Sequence, residues 1–270
     1  MFDSTRVCRA ALRAMHWHAY PGDPALASFT AVEVEGARVL VREGYEAFAA
    51  LLAGGEHAGG EHVGGGREAH PVVELPTGER VVVRRYRRGG LVRHFNRAHY
   101  FAGHRAFDEL RATERARAAG VRAPAVVAAV ERPEGLGYTA RLATVLVPGA
   151  RTLDACLSGA SGADRMHLFG EAGRQIGRMH AARVTHPDLN LRNLLVSTET
   201  NQRGRPLLYL LDFDRARVLA EEVPRGGRER DLQRLGRSAR KLGLALGPSD
   251  WVALREGYQE SAPLEALPTP

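Results

Sequence analysis

Lysine is almost absent from this chain: Lys241 is the only one in 270 residues, so the formal net charge of +7 is carried by arginine. Arginine keeps its proton in proteins and makes forked bonds to phosphate and carboxylate, so the surplus suits anionic partners. Nucleic acid, an anionic membrane and an acidic glycolipid all qualify on charge alone, and a solvated arginine-rich face accounts for much of the same surplus. Cysteine is nearly as scarce. Cys8 and Cys156 stand far apart and outside any metal-ligand spacing, which excludes a disulfide framework and a zinc site and predicts a reduced, cytosolic setting. Long apolar runs are missing too. The first twenty residues are broken by Arg9, Arg13, His16 and His18, so neither a secretory signal nor a membrane span is expected.

What is present is a set of parts for moving a phosphoryl group. His186-Pro187-Asp188-Leu189-Asn190-Leu191-Arg192-Asn193 is followed by an apolar Leu194-Leu195-Val196 run, then by Leu207-Leu208-Tyr209-Leu210-Leu211 ending in Asp212-Phe213-Asp214. Phosphoryl transfer asks the protein for positioning and charge neutralisation: a carboxylate at the attacking hydroxyl, and oxygen ligands for Mg²⁺ on the nucleotide. Asp188 supplies the first, and Asn193 with Asp212 the second. The spacing is that of a kinase catalytic loop followed by a hairpin with metal ligands at both mouths. Without chemistry the same residues read as turn formers, Asp188 capping and the asparagines making side-chain turns.

Upstream, Val32, Val34, Val39 and Val41 around Gly36 predict a small hairpin, and Gly54 to Gly66 reads as a loop in which His57 and His62 are not ligands. Residues 71–75 and 80–84 read as paired strands behind the glycines Gly64, Gly65 and Gly66, which suit a nucleotide-phosphate turn. With no lysine there, the strand cation is an arginine: Arg84, with Arg85 as the neighbouring alternative. Residues 105–119 predict a helix ended by Gly120, whose acid for that cation is Glu109, or else Glu114. Strands follow at 126–130 and 138–147, with the nucleotide base expected near Pro148-Gly149. A helix at 168–182 carries His180 as a structural residue. The segment 227–258 reads as helical, with Leu232, Leu235 and Leu242 on a buried face and Arg228, Glu229, Arg230 and Asp231 on a solvated one.

Arg85-Tyr86-Arg87-Arg88-Gly89-Gly90-Leu91, Tyr100-Phe101, Phe107-Asp108-Glu109-Leu110, Ile176-Gly177-Arg178-Met179-His180, the catalytic loop and Asp212-Phe213-Asp214-Arg215 together resemble the 3-deoxy-D-manno-octulosonic acid (Kdo) kinase family of lipopolysaccharide synthesis. The resemblance covers residues 60 to 245. It implies an α+β, bilobed protein-kinase-like fold, with a β-rich N-lobe at 1–148 (1–53 an extension) and a mainly helical C-lobe at 149–270. It implies ATP-dependent phosphorylation of the 4-hydroxyl of Kdo on Kdo-lipid A at the cytoplasmic face of the inner membrane. Asp188 is then the base, and Asn193 and Asp212 are the Mg²⁺ ligands. Arg85, Arg87 and Arg88, within a cluster that includes Arg84, Arg93 and Arg97, suit the Kdo carboxylate, the lipid A phosphates and an anionic membrane surface. Nucleic acid is not an expected partner. The rival readings are a heptose kinase or an aminoglycoside phosphotransferase-like enzyme, whose polycationic substrate a basic acceptor face repels, and a pseudokinase or basic binding module.

Overall fold

A computed structural model of the chain describes residues 20, 22–54, 61–64, 69–86, 103–135 and 137–261. Gly65, Gly66, Arg87, Arg88, Arg93, Arg97 and His57 lie outside the described residues. The chain divides into two compact units, one of Met1–Leu110 with Ala125–Leu146, the other of Arg111–Pro124 with Val147–Pro270.

The first unit is built on seven strands: β1 (Phe29–Val34), β2 (Ala37–Arg42), β3 (His62–Val63), β4 (His70–Glu74), β5 (Arg80–Arg85), β6 (Val126–Glu134) and β7 (Gly137–Val145). They form one sheet in the order β1-β2-β6-β7-β5-β4-β3, and neighbours pair antiparallel. The expected Val32–Val41 hairpin is thus an extension of the main sheet at its β6 edge. The strand pleat sends alternate side chains to opposite faces, and each face has its own cover. Val39, Val41, Val81 and Val83 pack with Leu52 of the short helix α1 (Ala49–Ala53). Leu40, Tyr86 and Leu142 pack with Phe107 and Leu110 of α2 (Arg105–Ala118). Helix α1 was not expected from the sequence, where residues 49–53 continue into the glycine-rich stretch.

Helix α2 stops where the sequence says it should. Gly120 adopts φ +82°, and the Gly120 and Val121 amides bond back to the Arg117 and Ala116 carbonyls, a left-handed cap of the kind glycine makes without steric penalty.

The second unit contains β8 (Arg151–Thr152), α3 (Leu153–Leu157), α4 (Gly162–Ala181), β9 (Val184–Thr185), β10 (Leu194–Thr200), β11 (Pro206–Leu210), β12 (Arg217–Val218), α5 (Arg225–Lys241) and α6 (Pro248–Ser261). Helix α4 begins at Ser161, whose hydroxyl accepts from the Asp164 amide at 3.2 Å, satisfying one of the unpaired donors of its first turn. Its apolar face, Leu168, Phe169, Ile176 and Met179, forms one core with Leu232 and Leu235 of α5 and Leu254 and Tyr258 of α6. The segment read as a single helical run is therefore two helices. Gly243 breaks it at φ +71°, with the Gly243 and Leu244 amides turned back onto Arg240 and Ala239.

Candidate active site

The catalytic-loop residues lie between β9 and β10, a stretch with little room to move. Leu189 and Leu191 are sunk into the core at 1% and 0% exposure, so the residues between and around them are pushed outward. Asp188 is exposed and Asn193 half-buried. Asn190 organises the turn: its Oδ1 accepts from the Arg192 and Asn193 amides at 2.9 and 3.1 Å, and its Nδ2 donates to the Asp188 carbonyl at 3.0 Å. Asn193 closes the same ring, its Nδ2 donating to the Asp188 carbonyl at 2.8 Å and lying 3.5 Å from Asp188 Oδ2. The amide nitrogen is thus engaged inside the loop, and the side-chain oxygen is the atom of this residue that a hard cation would require.

Strands β10 and β11 pair antiparallel with Leu194 opposite Leu210, and the Leu211 amide donates to the Asn193 carbonyl at 2.8 Å. The hairpin thereby fixes the chain just after Asn193 to the chain just before Asp212. Asp212 has φ +60°, an uncommon, strained conformation for a residue with a Cβ, and the next residue, Phe213, is fully buried. Reversing the chain at Asp212 lets Phe213 anchor inward. Among the described residues no group of three or more His, Cys, Asp or Glu side chains forms a metal cluster.

Behind this loop stands a buried polar string that includes Arg228 and Asp231, two residues expected on a solvated face. Asp231 is 2% exposed and Arg228 is 8% exposed, because α5 turns that face inward: Arg228, Asp231, Leu235 and Ala239 recur at helical spacing. Asp231 Oδ2 accepts from the His186 amide at 2.9 Å and from His180 Nε2 at 3.2 Å, while Tyr258 stands 2.9 Å from His180 Nδ1. Burial holds the His180 imidazole below its ordinary pKa, so it is the neutral form that donates to Asp231 and accepts from Tyr258. His186 in turn donates from Nε2 to the Leu211 carbonyl at 2.8 Å, and its ring lies against Phe213 at 5.3 Å. One chain of bonds thus runs from α6 through α4 and α5 to both the catalytic loop and the residue preceding Asp212. Ser238 adds a second tie from α5, its hydroxyl accepting from the Leu191 amide at 3.2 Å. The 3.6-residue period linking Asp231 to Leu235 was the signal available for this residue; local charge density obscured it.

In the first unit the structure brings Arg84 and Glu109 together as an ion pair. Glu109 is 3% exposed. Arg85 follows on the opposite face of β5 and is exposed, and Glu114 pairs with Arg117 one turn along its own helix. Gly64 follows β3 at φ +90°.

The comparisons with known proteins agree with one another. A profile described as "Lipopolysaccharide kinase (Kdo/WaaP) family" matches residues 66–258. A 3-deoxy-D-manno-octulosonic acid kinase of Actinobacillus succinogenes is 35% identical over 195 residues, 67% of this chain and 76% of that protein. The protein of the same name from Xylella fastidiosa strain M23 is 33% identical over 191 residues, 66% of this chain and 72% of that one. A solved structure titled "WaaP in complex with acyl carrier protein" shares the fold at a TM-score of 0.59 and 20% identity, covering 83% of this chain and 89% of that one. With a profile spanning most of its length and relatives at 30–35% identity, the chain belongs to the lipopolysaccharide kinase (Kdo/WaaP) family.

Proposed function

We propose that this protein transfers the γ-phosphoryl group of ATP to the 4-hydroxyl of the Kdo sugar of Kdo-lipid A. The observation that carries the reading is the catalytic loop itself. Asp188 is exposed on a turn anchored by the buried Leu189 and Leu191 that follow it, and the Asn193 side chain is tied back to the Asp188 carbonyl through its nitrogen. The names of the relatives supply the acceptor.

In this reading Asp188 accepts the proton of the attacking hydroxyl and orients its oxygen towards the γ-phosphorus. Asn193 and Asp212 would hold Mg²⁺, which would offset the negative charge of the nucleotide phosphates. Arg84, kept in place by Glu109, engages phosphate oxygens with its fork of N–H donors, and Gly64, Gly65 and Gly66 bring backbone close to the phosphates. Arg85, Arg87 and Arg88 bind the carboxylate of Kdo and the phosphates of lipid A. The protein works from the cytoplasmic side, resting peripherally on the anionic inner-membrane surface. No helix among the described residues is long and apolar enough to cross a membrane.

The direct test is transfer of labelled γ-phosphate from ATP to Kdo-lipid A, with lipid A lacking Kdo as the control acceptor. Labelling of the Kdo form alone is expected. Asp188→Ala should lower kcat by about a thousandfold, within the span of about 10²–10⁴ for a positioned general base, and leave nucleotide affinity near that of the wild type. Equal labelling of both lipids, or full activity in Asp188→Ala, overturns the assignment.

A further inference from the structure

Tyr86 is the residue whose surroundings the mechanism above leaves unused. It follows β5 and shares a sheet face with Arg84, two residues back. The Arg84 guanidinium lies over its ring at 4.9 Å from the centroid, and the guanidinium of Arg105, the first residue of α2, lies at 5.1 Å. Its hydroxyl donates to Glu109 Oε2, the same oxygen that accepts from Arg84. Arg105 and Glu109 are four residues apart on α2, one turn of the helix, so both face the tyrosine. The residue is 5% exposed.

We propose that Tyr86 is a positioning residue for Arg84: its ring fixes the plane of the guanidinium, and its hydroxyl fixes the carboxylate that holds it. The inference rests on Arg84 being the nucleotide-phosphate cation. A lysine in that place is a compact point charge that one carboxylate can steer. A guanidinium is a planar fork, and its orientation decides whether its N–H donors meet phosphate oxygens in pairs. A ring face beneath it, attracted to the cation, restrains that plane in a way an ion pair does not. The same tyrosine also satisfies the carboxylate: buried charge is costly unless its lone pairs are occupied, and Glu109 receives two donors at one oxygen. Burial, with the adjacent Glu109 charge, pushes the Tyr86 phenol well above its ordinary pKa of 10, so it remains a donor throughout the working range.

The test uses the full chain and two readouts: steady-state transfer to Kdo-lipid A, and direct binding of the Mg²⁺ complex of a non-hydrolysable ATP analogue. Tyr86→Phe retains ring and packing and loses only the hydroxyl. It should raise the KM for ATP and the Kd for the analogue about tenfold, the size expected for a hydrogen bond to a charged group, with the KM for Kdo-lipid A unchanged. In an Arg84→Ala background the same substitution should change neither value, because its effect passes through Arg84. A merely structural tyrosine would lower Tm alike in both backgrounds and leave the nucleotide constants alone. Unchanged ATP constants in Tyr86→Phe, an undiminished effect without Arg84, or a wild-type protein that binds no analogue would each overturn the inference. A wild-type protein that binds the analogue but phosphorylates no Kdo-lipid A would overturn the acceptor assignment instead, and the binding comparison would still decide the role of Tyr86.

Discussion

Asp231 shows how a single buried carboxylate can tie a loop to the helices behind it. It receives the His186 amide and His180 Nε2 on one oxygen and Arg234 on the other, so it sets where the chain enters the catalytic loop. Asp231→Asn keeps the shape but weakens the acceptor. The expected result is a fall in kcat of about a hundredfold, the scale of a displacement of roughly 1 Å at the reacting groups, with KM for ATP little altered, read from steady-state kinetics. The loop from Asp188 to Asn193 was legible because its residues stand in one contiguous spacing. Asp231 was not, because its meaning depends on which face of α5 the fold turns inward.

Glu131 carries a different residue-scale prediction. It is 3% exposed on β6, its Oε2 is 2.9 Å from His104 Nδ1 and its Oε1 is buried without a hydrogen-bond partner. Burial raises its carboxyl to about 7 against the partial opposition of His104. A carboxyl whose folded pKa exceeds its unfolded value contributes stability that is complete below the unfolded value of 4.5 and is lost as pH rises through about 7. Glu131→Gln has no such loss. Thermal melts should therefore show the variant gaining on the wild type between about pH 5 and pH 8, and a constant difference in Tm across that range would refute the linkage.

At the scale of elements, the strands and the α2 cap were readable because β-branched runs and Gly120 signal locally what the backbone does. What the sequence could not show was how near one element comes to another. Helices α4 and α6 meet at glycines. A Cβ on Gly173 would lie 2.0 Å from the Leu254 carbonyl oxygen, and one on Gly257 would lie 1.9 Å from that of Gly170. Both contacts are with backbone, which cannot swing away as a side-chain tip can. Gly173→Ala, a change that raises helix propensity in isolation, should here destabilise by about 1–3 kcal/mol, the usual cost of overpacking, and lower Tm by several degrees. Because His180 on α4 and Tyr258 on α6 belong to the polar string behind the catalytic loop, the same variant should also lose kcat. A Tm at or above that of the wild type would show that the helices separate freely.

At the scale of the whole molecule, the two compact units are each assembled from two separate stretches of the chain. Residues 111–124 belong with the second unit. There the Arg122 amide donates to Gln175 at 2.7 Å, the Arg122 guanidinium pairs with Glu171, and the Arg122 carbonyl accepts from the Leu210 amide at 2.8 Å. None of those partners is near in sequence, so no composition shift marked the boundary. The net charge, by contrast, is a property the sequence states outright, and its consequence is measurable. With +7 carried almost wholly by arginine, the protein should associate with vesicles containing about 30% anionic lipid and not with neutral ones, each basic side chain near the surface adding about 1 kcal/mol. Because that attraction acts between exposed charges, it should weaken steeply as salt rises from about 50 mM to 500 mM and the screening length shrinks to a few ångströms. Co-sedimentation across that range decides the matter. Binding that ignores salt, or that is equal on neutral vesicles, would mean that the arginines serve solubility or the soluble substrates and that the membrane is reached through the acceptor lipid alone.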